Sequence, residues 1–190
     1  ALVALLLATL AWLAWRQRHG RLAMRRLAMT DELTGLPNRR DVLGRLQARL
    51  DRGEACALLI VDLDHFKRIN DSCGHPVGDE VLRRAADVLR HTAPEDAPLG
   101  RLGGEEFVLV LPPSDAMAAE ALAERVRAGM QAMDLAGAGV DGPVTASVGV
   151  GLPGPDDDVS SLLRRADRAL YAAKAGGRNR VETRSATDEG

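Results

Sequence analysis

Residues 55–61 read Ala-Cys-Ala-Leu-Leu-Ile-Val, an unbroken apolar run bounded by Gly53 on one side and by Asp62 and Asp64 on the other. A run that short, with no polar face, fits a strand buried on both sides better than a helix, and it predicts the centre of a sheet. The acids directly after it then lie where that strand leaves the core.

Leu36-Pro37-Asn38 marks a turn, and residues 39–52 form an amphipathic pattern with Val42, Leu43, Leu46 and Leu50 on one face, stopped by Gly53. Residues 77–91 repeat a helical pattern through Val81, Leu82, Ala85, Val88 and Leu89. Residues 99–102 and 107–111 flank Gly103-Gly104 as a hairpin. Ser114 is placed to cap a helix running to about Met133, residues 144–150 alternate as a strand, and residues 159–175 form a last helix before a short strand at 179–182. The resulting order contains β-α-β-β-α-β, which predicts an α+β fold with a ferredoxin-like split βαβ core and added helices. In that core the first two strands run parallel, with the third antiparallel between them. The hairpin turn then lies beside the exit of the first strand. Asp62, Leu63 and Asp64 therefore converge with Glu105 and Glu106 from far away in sequence.

Residues 1–15 carry no charge, and only Thr9 is polar. As a helix they span roughly 22 Å, part of the roughly 30 Å hydrocarbon core of a bilayer, and they predict the C-terminal part of a transmembrane helix. Arg16, Arg18, Arg21, Arg25 and Arg26 follow before the first acid, Asp31, an asymmetry that places this flank in the cytoplasm and the protein in the inner membrane. The expected organisation is this helix, a basic helical connector at 16–29, one domain at 30–183, and a disordered tail at 184–190. The formal charge of -2 gives no general reason to expect nucleic acid as a partner, so an anionic ligand needs a local site. Cys56 and Cys73 lack the spacing of a zinc site or a disulfide framework.

Carboxylates gathered at strand ends beside a glycine turn make an oxygen-rich cluster suited to Mg²⁺. A nucleoside triphosphate completes such a site, because a bridging metal neutralises carboxylate and phosphate together. Asp62, Asp64, Glu105 and Glu106 fit that reading, and they also fit a solvated acidic turn.

Five sequence blocks carry a family resemblance. They are Asp31-Glu32-Leu33-Thr34-Gly35-Leu36-Pro37-Asn38-Arg39; the stretch 62–71 from Asp62 through Lys67 to Asn70-Asp71; Gly74-His75-Pro76-Val77-Gly78-Asp79; Arg101-Leu102-Gly103-Gly104-Glu105-Glu106-Phe107; and the stretch 172–179, which holds Lys174, Arg178 and Asn179. Together they resemble the GGDEF family in its GGEEF form over residues 30–181. That resemblance implies a diguanylate cyclase with a fold similar to nucleotidyl cyclases and polymerase palms, joining two GTP into cyclic di-GMP with loss of two pyrophosphates. It implies Asp62, the Leu63 carbonyl and Glu105 as Mg²⁺ ligands, with two ions per site and Mn²⁺ as a substitute. It makes Asn70 and Asp79 the guanine readers, and Lys67, Lys174 and Arg178 the triphosphate cations. Glu105, Glu106 and Lys67 become the catalytic groups, and the loop amides back from Phe66 become further phosphate contacts. It further implies a homodimer, since each domain holds one GTP and the 3′-hydroxyl of one nucleotide attacks the α-phosphorus of the other. The alternative is an inactive GTP-binding or dimerisation module. Many members carry an inhibitory product site, R-x-x-D, beginning nine residues before the hairpin glycines. Here that stretch is Pro94-Glu95-Asp96-Ala97, so no such site is expected.

Overall fold

The computed structural model describes Trp12, residues 29–112 and residues 116–189. The expected membrane run apart from Trp12, the connector before Met29 and the Ser114 cap lie outside the described residues. Among the described residues no helix is long and apolar enough to cross a membrane.

Helix α1 (Arg39–Leu50) starts where the Asn38 side chain accepts from the Asp41 amide at 3.2 Å, and it buries Val42 and Leu46. Strand β1 (Ala57–Leu63) is buried at every position. Helices α2 (Phe66–Cys73) and α3 (His75–Thr92) are separated by Gly74 alone. Strands β2 (Leu99–Gly103) and β3 (Glu106–Leu111) form the hairpin, followed by α4 (Ala116–Gln131), β4 (Ala146–Gly151), α5 (Val159–Ala175) and β5 (Val181–Arg184). The sheet order is β2-β3-β1-β4-β5. Strand β3 is antiparallel to both β1 and β2, so those two run parallel with β3 between them, and β1 also pairs antiparallel with β4. That is the strand arrangement the sequence order predicts.

Side-chain alternation divides the core into two layers. Leu59, Val61, Phe107 and Leu109 face α3 and α4 through Val81, Leu89, Val126 and Met130. Leu58, Ile60, Val108 and Val110 face α1 and α5 through Val42, Leu46, Leu162, Ala166 and Leu170. Gly149 lets α5 lie directly on β4, because a Cβ there would stand 2.2 Å from the Ala166 carbonyl oxygen. This close seating fixes where the end of α5 meets the end of β1.

Residues 66–73, to which the sequence pattern assigns no element, form α2, with Phe66 anchored in the core and Gly74 breaking the chain at φ +86°. One expectation needs correction. The terminal stretch expected to be disordered instead continues β5 through Arg184 into a 3-10 turn at Ala186–Glu189, where the Ser185 amide donates to Asp188 Oδ2 at 2.6 Å.

Candidate active site

Asp62 is the penultimate residue of β1 and shares the α5-facing side of the sheet with Leu58 and Ile60, yet it is a carboxylate only 5% exposed. Its cross-strand neighbours are Glu106 on β3 and Ser147 on β4. Lys174, in the last turn of α5, reaches it with Nζ 2.8 Å from Oδ2. Burial pushes the Asp62 carboxyl above the usual carboxylate range; the Lys174 ammonium pulls it back in part, and the charges of Glu105 and Glu106 push it up again. The buried Asp62 thus feels two further acids and is paired with one partly exposed lysine.

Glu105 is brought in by the hairpin. Gly103 and Gly104 turn at φ +143° and +55°, values that side-chain-bearing residues rarely adopt, and the Leu63 amide donates to the Glu105 carbonyl at 3.4 Å. The turn is braced from behind. Arg101 donates through Nη2 and Nε to the Gly104 carbonyl at 2.6 and 3.0 Å, and through Nη1 to Asp31 at 3.0 and 3.1 Å. Asp31 also accepts from the Thr34 amide at 2.9 Å and hydroxyl at 2.6 Å, and Arg90 of α3 donates to the Thr34 carbonyl. Burial raises the Asp31 carboxyl, but the bonds from Thr34 and Arg101 outweigh it and hold the group below its ordinary value. The sequence pattern singles out Asp31 and Thr34 only as part of a resemblance. The structure makes them the buttress of the hairpin.

Asp64 does not join the acid cluster. Its Oδ1 accepts from the Ser147 hydroxyl at 2.7 Å, and its Oδ2 accepts from the Thr145 hydroxyl at 2.7 Å and the Asn179 amide at 3.0 Å. With 5% exposure and three donors, this carboxylate ties β1 to β4 and to the loop after α5. Thr145 and Ser147 are partners the sequence reading missed. Hydroxyls within a strand this apolar were the available signal.

Asn70 and Asp79 sit on α2 and α3, either side of the break at Gly74, both partly buried. Gly78 lies between them and serves space rather than turn geometry: a Cβ there would stand 1.9 Å from Asn70 Oδ1 and 3.2 Å from Phe66 Cζ. Gly78 thus does more than punctuate. The Phe66 ring is core, leaving only its backbone for a ligand. Lys67 and Arg178 are exposed, and the structure shows neither in contact with the acids. Among the described residues no group of three or more His, Cys, Asp or Glu side chains forms a ready-made metal cage. Any ion at Asp62 and Glu105 would need backbone and ligand oxygens as well. Cys56 and Cys73 are free thiols.

A family model described as diguanylate cyclase, GGDEF domain, matches residues 28–180. The chain belongs to the GGDEF family. This GGDEF domain is 41% identical over 162 residues to the diguanylate cyclase DgcP of Pseudomonas aeruginosa, covering 83% of this chain and 24% of that protein. It is 39% identical over 168 residues to the response regulator PleD of Caulobacter vibrioides, covering 84% of this chain and 37% of PleD. The chain therefore spans well under half the length of these curated relatives. Among solved structures, the coiled coil and GGDEF domain of DgcB from Caulobacter crescentus, in complex with c-di-GMP, superposes with a TM-score of 0.86 at 34% identity, covering 94% of this chain and 97% of that one.

Proposed function

We propose that this chain carries the catalytic domain of a diguanylate cyclase on a ferredoxin-like, palm-type core, condensing two GTP into cyclic di-GMP and two pyrophosphates. The observation that carries this reading is the buried Asp62 at the end of β1, crowded by Glu105 and Glu106 and countered by Lys174. Directly after β1 comes the α2–α3 junction with Asn70 and Asp79.

Asp79 accepts from the two adjacent N–H donors on the guanine edge and meets an acceptor on adenine, so it rejects ATP by leaving polar groups mispaired. Asn70, pressed against Gly78, adds a further bond to the base. Lys67, Lys174 and Arg178 neutralise the triphosphate and the departing pyrophosphate. Of the loop amides from Leu63 to Phe66, those of Leu63 and Asp64 donate to the Glu105 and Thr145 carbonyls, and that of Phe66, the first of α2, adds a donor for phosphate oxygen. Asp62, the Leu63 carbonyl and Glu105 would hold Mg²⁺, or Mn²⁺ in its place; an all-oxygen set suits a hard cation, and the crowding of acids around Asp62 calls for one. When bound, the ion supplies charge neutralisation between carboxylate and phosphate and acidifies the attacking hydroxyl. Glu106, opposite Asp62 in the sheet, would take either the 3′-hydroxyl proton or a share of a second ion.

Two domains must face each other for each nucleotide to attack the other, so turnover belongs to a homodimer. A groove of about 220 Å³ runs past Glu106, lined by Arg39, Leu102, Arg164 and Asp167. The R-x-x-D stretch is replaced by Pro94-Glu95-Asp96-Ala97, where Arg49 donates to the Asp96 carbonyl at 2.8 Å, which supports the absence of the primary product-inhibition site. The apolar start of the chain and its arginine flank support anchoring in the inner membrane with this domain in the cytoplasm.

The test is incubation of the chain with GTP or ATP and Mg²⁺ over a range of protein concentrations, with products resolved by mass. Cyclic di-GMP from GTP alone, at a specific rate rising with protein concentration and lost in Glu105→Ala, is the expected result. GTP binding with no product at any concentration would instead identify a non-catalytic GTP-binding or dimerisation module.

A further inference from the structure

The loop after α5 takes a conformation that its own residues do not favour. Gly177, Arg178 and Asn179 follow one another at φ +113°, +62° and +45°. Glycine adopts such values freely and asparagine tolerates them, but arginine does so only when its surroundings impose it.

Two ties impose it here, from opposite sides of the sheet. Just past the end of β1, Asp64 Oδ2 captures the Asn179 amide at 3.0 Å while the hydroxyls of Thr145 and Ser147 fix the same carboxylate. From α4, on the layer away from α5, Arg127 Nη1 donates to Asn179 Oδ1 at 2.7 Å, and Asn179 Nδ2 donates to Gln131 Oε1 at 3.3 Å. Arg127 is itself held. Its Nε donates to both Glu124 oxygens at 2.8 and 2.9 Å, its Nη2 donates to Glu124 at 2.6 Å, and its Nη1 also donates to Gln131 at 2.8 Å. Its side chain is 17% exposed, whereas an arginine serving only as a surface charge would sit in water. A planar guanidinium with several fixed donors suits such a brace better than a lysine would.

We infer that Arg127 is a positioning residue for triphosphate binding: by gripping Asn179 against Asp64 it holds the backbone of Arg178 in place. The inference rests on the proposed role of Arg178 at the triphosphate. Arg127 touches neither substrate nor metal, and it acts through the loop.

The experiment measures the affinity of the full chain for GTP with Mg²⁺ and, by competition, for guanosine, which lacks phosphates. Arg127→Met keeps the packing and removes every donor. Asn179→Gly cuts the same bond from the other side, with a residue suited to positive φ, and serves as the test if the first variant fails to fold. Either variant is expected to weaken GTP binding by about tenfold, equivalent to ~1.4 kcal/mol, and to leave guanosine binding unchanged. The double variant Arg127→Met/Arg178→Ala is expected to bind GTP no more weakly than Arg178→Ala alone, since one residue acts through the other. Equal losses for GTP and guanosine, or additive losses in the double variant, would overturn the inference. Wild-type GTP affinity in Arg127→Met and Asn179→Gly alongside a loss in Arg178→Ala would overturn the brace and leave the site reading standing. Wild-type affinity in Arg178→Ala would overturn both.

Discussion

Lys174 Nζ lies 2.8 Å from Asp62 Oδ2, and this ion pair joins the last turn of α5 to the end of β1 inside the acid cluster. The lysine faces two demands, since it counters a buried carboxylate in the free protein and a triphosphate in the proposed complex.

Removing it by Lys174→Met leaves Asp62 buried beside Glu105 and Glu106 without a partner. The lysine side chain is 35% exposed, so solvent already screens part of the pair, and the expected loss of stability is only about 1 kcal/mol. Thermal melts check this, with Asp62→Asn in the same background: the double variant is expected to recover the lost melting temperature, because the uncompensated charge is gone. A melting temperature as low as that of Lys174→Met would show that the loss does not come from an uncompensated Asp62 charge.

The Asp31 buttress carries a pH signature. Its carboxyl is held below the ordinary value of about 3.9, so its contribution to stability is present above that value and is lost as pH falls through the folded-state value. Asp31→Asn is therefore expected to be less stable than the wild type at pH 7, by about 1 kcal/mol, and the two stabilities are expected to converge as pH falls below the folded-state value. Denaturant titrations across that range measure the gap. Because Arg101 links Asp31 to the Gly104 carbonyl, the same variant is expected to lower turnover while sparing GTP selectivity.

Gly78→Ala tests the guanine site through space alone. The added methyl would overlap Asn70 Oδ1 and crowd Phe66, and Asn70, on the short helix α2, must move. Expected are a KM for GTP raised by about tenfold and a narrowed preference for GTP over ATP, from the loss of one buried polar contact of ~1.4 kcal/mol. Steady-state kinetics with both nucleotides measure it. An unchanged preference would remove Asn70 from the base-reading role.

The sequence exposed most of the frame for identifiable reasons. Residues 159–175 are a helix over the expected span because Asp158 caps it through the Ser161 amide and its apolar period is complete. Strand β1 was legible because no other element accommodates so unbroken an apolar run. Helix α2 was not, since FKRINDSC is only eight residues long and offers Phe66, Ile69 and Cys73 as apolar positions, too few to display a period. The convergence of Asp62 with Glu105 and Glu106 followed from strand order, but the withdrawal of Asp64 into a hub did not. Identical carboxylates two residues apart differ only in which donors the fold places beside them: Ser147, Thr145 and Asn179 for Asp64, and Lys174 for Asp62. Gly78 illustrates the same limit, because only the packed pair of helices reveals which atom stands where its side chain would be.

The most direct measurement is equilibrium binding of a non-reacting GTP analogue to the chain, with and without Mg²⁺. It is compared among the wild type, Asp62→Asn and Glu105→Ala. Binding that strengthens with Mg²⁺ in the wild type, and loses that dependence in both variants while a weaker metal-independent affinity through Asn70 and Asp79 persists, is the expected result. Affinity indifferent to Mg²⁺, or unchanged by either substitution, would contradict the assignment of these two acids to a metal and nucleotide site.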